Sequence, residues 1–149
     1  MKSCLFTIGA FVILLLIGFC YILSIGSDHP LGNNLYMMDW GDESVIVQGS
    51  FMENGRCYGG DLVVPLYEEQ YDSLGEVREY VIDAIADERM ILAKTFLVNE
   101  RKYKYYLINK EFDENASETQ IRDSFTYEFY SLEELTSYLE KINSSLSLR

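Results

Sequence analysis

Few residues in this chain carry groups able to do covalent or metal chemistry, and their spacing separates them. Cys57 is the only cysteine beyond the N-terminal apolar run, and His29 is the only histidine in the 149 residues. A thiol nucleophile needs a neighbouring base or cation to become a thiolate. With the one imidazole far upstream, Cys57 reads as a small buried hydrophobe. A structural zinc site lacks a ligand set for the same reason, and an intramolecular disulfide has no second thiol beyond that run. Acidic residues are abundant, with adjacent pairs at Glu68-Glu69, Asp87-Glu88 and Glu133-Glu134. Neighbours on a strand point to opposite faces, whereas cleavage of a glycoside needs two carboxylates facing one sugar. Asp39, Asp42 and Glu43 in "DWGDE" could offer oxygens to a calcium ion, but the spacing is not that of an EF-hand loop. A hairpin turn with solvated acids is the simpler reading. "GGD" at 59–61 is a turn signal, not a phosphate-binding loop, and no nucleophile elbow is present. The expectation is a chain that is not an enzyme, has no catalytic or metal-ligating residues and uses no cofactor.

Aromatic side chains are the other candidate. Tyr103, Tyr105 and Tyr106, with Tyr127, Phe129 and Tyr130, could form a surface for a peptide or glycan. Alternation along strands makes cross-strand core pairs the more economical account. The binding residues therefore stay unassigned.

The elements that would position these groups begin with an anchor. Cys4–Gly26 is a run of 23 uncharged residues, which as a helix would be roughly 34 Å long, enough to cross a bilayer with some tilt. A cleaved signal has a shorter apolar stretch behind a clearly positive start, and here only Lys2 precedes the run. Length favours an uncleaved anchor over residues 1–26. Cleavage after Gly26 is the alternative, since Ser24 and Gly26 are small residues before Ser27. Lipidation at Cys20 is disfavoured by Phe19, which stands where a lipobox wants a small residue, and by the apolar continuation through Leu23. Lys2 would stay inside, leaving the rest of the chain extracytoplasmic.

All 24 acidic residues and 11 of the 12 basic ones follow Ser27, so that part carries a formal charge of −13. Such a surface repels nucleic acid and would favour a basic protein partner, although a solvated acidic exterior is the simpler explanation. The expected contacts are the lipid bilayer through the N-terminal helix, and another envelope protein or a basic protein.

About 120 residues remain, the size of one ordinary domain. Residues 27–34 are rich in turn formers and read as a linker, with His29 exposed on it; 35–149 form the domain. "NLYMMDW" and "SVIVQGSFM" read as antiparallel strands. Asn54-Gly55 marks a hairpin turn and Gly59-Gly60 a second break, after which "LVVPLY" resumes as a strand that is at an edge or ends near Pro65. Residues 77–86 fit both an amphipathic helix and a strand, and periodicity alone does not choose. "RMILAKTFLV" and "YKYYLIN" are strand-like, giving about six strands in all. "KEFDENASETQIRDS" reads as a long polar loop with one helical turn.

From "VVP" at Val63 to "YYLINK" ending at Lys110, and above all in "IDAIADERMILAKT", the chain resembles a group of small, functionally uncharacterised bacterial proteins with an anchor or lipoprotein signal. That group carries an Asp turn before a "YIIAK" strand and then a "YYIID" strand. Here Ala86-Asp87 stands where two acidic residues are usual, and Met90 replaces an aromatic. The resemblance implies a strand, a turn at Asp87-Glu88-Arg89 and another strand. It implies no activity.

Ser131-Leu132-Glu133-Glu134 is a capping box, with Glu134 placed to reach back to the Ser131 amide. Leu132, Leu135, Leu139, Ile142 and Leu146 recur at helical spacing behind it. The expected fold is α+β: an N-terminal transmembrane helix, a small antiparallel β-meander and a C-terminal amphipathic helix. The expected function is that of a membrane-anchored bacterial envelope protein, a non-enzymatic binding or structural module. The alternative is an immunity-type protein whose acidic domain captures a basic toxin.

Overall fold

The structure is a computed structural model that describes residues 28–40, 43–54, 56–65, 70–142 and 146. The expected anchor over residues 1–26 lies outside these. Among the described residues no helix is long and apolar enough to cross a membrane.

Eight strands form one antiparallel sheet: β1 (Asp28–Gly32), β2 (Leu35–Trp40), β3 (Glu43–Glu53), β4 (Arg56–Val64), β5 (Glu79–Ala86), β6 (Met90–Leu97), β7 (Lys102–Asn109) and β8 (Thr126–Phe129). Their order is β1-β2-β3-β5-β6-β7-β8, and β4 pairs with β3. Along one edge of β3, Ser44 pairs with Val81 of β5, and from Ile46 onward β4 takes over. The sheet thus consists of two halves hinged at the start of β3.

Residues 28–34 are a correction to the linker reading, because β1 is hydrogen-bonded to β2 over Asp28–Met38 and Pro30–Tyr36. Pro30 has no N–H, which suits it to this edge strand. Asn33 and Asn34 have φ of 50° and 60°. Two successive left-handed residues make the tight hairpin connection whose twist matches the flanking strands. The turn formers therefore close a hairpin inside the domain. The stretch left open between helix and strand is β5, and Asp87 ends it: its Oδ1 accepts the Arg89 and Met90 amides at 2.8 and 2.7 Å. β4 stops at Val64, before Pro65. Gly59 and Gly60 lie within β4 and do not interrupt it.

Alternation sorts the apolar residues into three layers. The shared core takes Leu35, Ile46, Val63, Val81, Ile91, Ala93, Tyr106 and Ile108 from both halves, closed by Phe112 and Ile121. The sheet curls around this core, so that the β1–β2 turn meets the chain after β7. Asn33 Nδ2 donates to the Lys110 and Phe112 carbonyls at 2.8 and 3.2 Å. Lys110 Nζ donates to the Leu31 carbonyl at 3.0 Å and also to that of Asp87.

On the outer face of the first half, Met38, Val45 and Val47 are covered by Cys57 from the far end of the β3–β4 hairpin. The hairpin folds back over its own sheet, with register breaks around Gly49 and Phe51. Gly60 permits the close approach, since a Cβ there would fall 1.7 Å from the Gln48 carbonyl oxygen.

On the outer face of the second half, Leu92, Tyr105 and Leu107 are covered by the C-terminal helix α1 (Leu132–Lys141) through Leu135 and Leu139. Ser131 Oγ accepts the Glu134 amide at 3.2 Å, as the capping box requires. Glu134 reaches back one residue further than expected, to the Tyr130 amide at 3.1 Å. Leu132 stays exposed, while Leu146 joins the cluster beneath the helix. Between β7 and β8, a capped helical turn at Glu118–Gln120 leads into a π-turn at Ile121–Phe125.

Candidate functional site

Two places in the second half stand out chemically. The first is a buried charge cluster on the inner face of β5, β6 and β7, where period-two alternation puts Glu79, Thr95 and Lys104 in line with the apolar core. Glu79 is fully buried and Lys104 nearly so. Glu79 Oε1 accepts from Thr95 Oγ1 at 2.5 Å and from the Tyr106 hydroxyl at 3.0 Å. Lys104 Nζ lies 3.9 Å from Glu79 Oε2 and 3.0 Å from Glu128 Oε2 on β8. The same ammonium sits 4.8 Å from the Tyr106 ring centroid and 5.4 Å from that of Tyr130. An ammonium between two carboxylates and two π faces is well compensated for its loss of water. A cleft of about 280 Å³ opens beside it, lined by Arg78, Leu97, Asn99, Glu100 and Tyr130 as well as the Glu79–Lys104 pair.

Glu79 and Glu128 are two carboxylates converging on one point, the arrangement that hydrolytic chemistry would require. Here Lys104 occupies the space between them. The cluster ties β5, β6, β7 and β8 together.

The second place is the outer face of β5–β7 beyond the reach of α1. Tyr80 pairs with Phe96, and Phe96 with Tyr103, across three strands. Their rings form a ladder with centroids 5.9 and 5.7 Å apart. Lys94 Nζ stands 4.2 Å over the Tyr103 ring, and its cross-strand neighbour is Asp83. Tyr103 is 47% exposed, with Ile82 exposed beside the β5 bulge. This is an aromatic platform flanked by one cation and one anion, suited to stacking and hydrogen bonding against a partner.

The six aromatic residues named from the sequence divide between core and surface. Tyr105 and Tyr106 are core residues, on opposite faces of β7. Tyr127 and Phe129 pack on Tyr138 of α1, with centroids 5.5 and 5.3 Å apart. Partial burial against β8, and then the neighbouring Tyr127, push the Tyr138 hydroxyl pKa above its ordinary 10.0. Tyr103 and Tyr130 are exposed, and so is part of Tyr127. Cys57 is buried, its Sγ 3.9 Å from Met38 Sδ. His29 is exposed, on β1. Asp39 accepts the Ser44 hydroxyl at 2.6 Å. Asp42 lies outside the described residues, as do Glu68 and Glu69. Among the described residues no three of His, Cys, Asp and Glu are grouped to hold a metal ion.

Sequence reasoning did not single out Glu79 or Lys104, although the signal was there for Lys104. In "YKYYLIN" the lysine shares a face with Tyr106 and Ile108, so a charge falls on an apolar face. Comparison with known proteins gives no match to a family model, to a curated protein or to a solved structure.

Proposed function

We propose that this chain is a non-enzymatic, membrane-anchored binding module of the bacterial envelope, held by residues 4–26, with its domain extracytoplasmic. It engages another protein through the open part of the β5–β7 outer face. The observation that supports this reading is the Tyr80–Phe96–Tyr103 ladder, a packed aromatic row that α1 leaves uncovered. Aromatic side chains of this kind dominate protein interfaces because they bury much area at little entropic cost.

The formal charge of −13 after Ser27 favours a basic partner and steers its approach. It also supports the second reading, an immunity-type role in which that partner is a basic toxin. Both are tested with a photocrosslinking residue placed at Tyr103 of the full chain in cells, with Thr136 on α1 as the comparison position. The expected result is one adduct with a basic protein from position 103, absent from 136 and lost as salt is raised. No adduct at 103, or equal adducts at both positions, removes the ladder as the binding face. The Tyr103→Ser variant should stay folded, at a cost of about 0.5–1.5 kcal/mol for the aromatic pair it removes. It should nevertheless lose capture of the partner identified.

A further inference from the structure

The exposed apolar residues of the first half form a separate group, on the folded-back hairpin. Phe51 is 61% exposed, Tyr58 49% and Met52 43%, and the Phe51 and Tyr58 rings meet edge to face at 6.0 Å. Alternation explains the arrangement: Cys57 points inward onto Met38, so Tyr58 next to it points out. The hairpin also stands beside the place where the chain enters the domain. Asp28 Oδ2 accepts the Cys57 amide at 2.9 Å. Asp28 is two residues beyond Gly26, the end of the uncharged run, and two residues reach at most about 7 Å.

We infer that the β3–β4 hairpin rests on the lipid interface, with Phe51 and Tyr58 seated among the headgroups. This rests on the reading of residues 4–26 as a membrane anchor. An anchor ending at Gly26 brings Asp28 to the bilayer surface, and the Asp28–Cys57 hydrogen bond brings the hairpin with it. Aromatic residues favour that depth, where the ring contacts acyl chains and the hydroxyl stays hydrated. The exposed Glu53 and Arg56 pair across the hairpin and offset each other in charge. The acidic body of the domain directs this contact to zwitterionic lipid rather than anionic lipid. The hairpin fixes orientation: it lies on the outer face of the first half, and α1 on the outer face of the second, with the shared core between them. The helix side is thereby turned away from the membrane.

The test uses the full chain in phosphatidylcholine vesicles containing brominated acyl chains, with F51W, Y58W and T136W variants. The wild type, whose only tryptophan is Trp40, supplies the baseline emission. Bromolipid should quench the added emission of F51W and Y58W about twofold or more, as expected for indoles at the interface, and leave that of T136W unchanged. Vesicle-bound protein in which F51W and Y58W are unquenched, or T136W is quenched equally, overturns the hairpin contact while leaving the anchor standing. Protein that fails to float with the vesicles overturns the anchor, and the hairpin contact falls with it.

Discussion

The outer faces of the two halves are closed by different means. In the first half the chain covers Met38, Val45 and Val47 with its own β3–β4 hairpin, where Gly60 lets one backbone approach another closely. In the second half a separate helix of ten residues does the work. At 1.5 Å per residue it is about 15 Å long, too short to cover a face that also carries the Tyr80–Phe96–Tyr103 row. A hairpin folded on itself leaves its own outward side chains exposed. A short helix instead leaves part of the sheet beneath it open. Each half thus presents one aromatic surface, for a reason rooted in how it is closed.

The inner faces differ too, and substitution there should have the largest effect. Lys104→Ala removes the cation between Glu79 and Glu128 and strands a buried carboxylate, at a cost of about 3–5 kcal/mol. Urea denaturation measures it, and combining Lys104→Met with Glu79→Gln should recover most of the loss. A cost below about 1 kcal/mol would mean the charge cluster does not hold the second half together.

Gly60→Ala attacks the first half alone. Its Cβ collides with the Gln48 carbonyl, so the hairpin must lift, costing about 1–3 kcal/mol as overpacking does. The same variant should expose Cys57 to a maleimide, read by mass at its peptide, whereas the parent thiol stays protected. Ser131→Ala acts only on the second half. Losing the cap on α1 costs about 1 kcal/mol and should leave Cys57 protection unchanged. Thiol protection thus separates the two closures.

The smallest effect is one of pH. The Tyr138 hydroxyl is held neutral in the folded state above its ordinary 10.0, so above that pH the unfolded chain releases its proton more readily. Stability from the α1 side is then intact below about pH 10 and falls as pH rises through and beyond it. Tyr138→Phe should flatten this alkaline decline, seen in melts between neutral and alkaline pH.

The parts of the fold that were legible are those where a local pattern suffices. Strands β2, β3, β6 and β7 have long apolar or alternating runs, and the Asp87 turn and the Ser131 cap are defined by residues three or fewer apart. β1 was hidden because His29, Pro30 and Gly32 make poor strand formers, and its pairing with β2 is what extends it. β8 is four residues long and follows a polar loop, so its register against β7 is decided by tertiary contacts. The fold-back of the hairpin depends on a close approach of Gly60 to Gln48, and a glycine read from the sequence signals only a bend. The ladder was partly visible: Tyr103 was a candidate, but Tyr80 and Phe96 become its neighbours only through strand register.

In the proposed arrangement, residues 4–26 hold an acidic, protein-binding domain on the far side of a membrane. Alkaline carbonate extraction of cells expressing a C-terminally tagged chain, followed by protease treatment of intact cells, tests it directly. The account predicts a chain that resists extraction, retains its original N-terminus and loses its tag to external protease. A chain released by carbonate, or one that begins at Ser27, or a tag protected in intact cells and cleaved only after lysis, would contradict it.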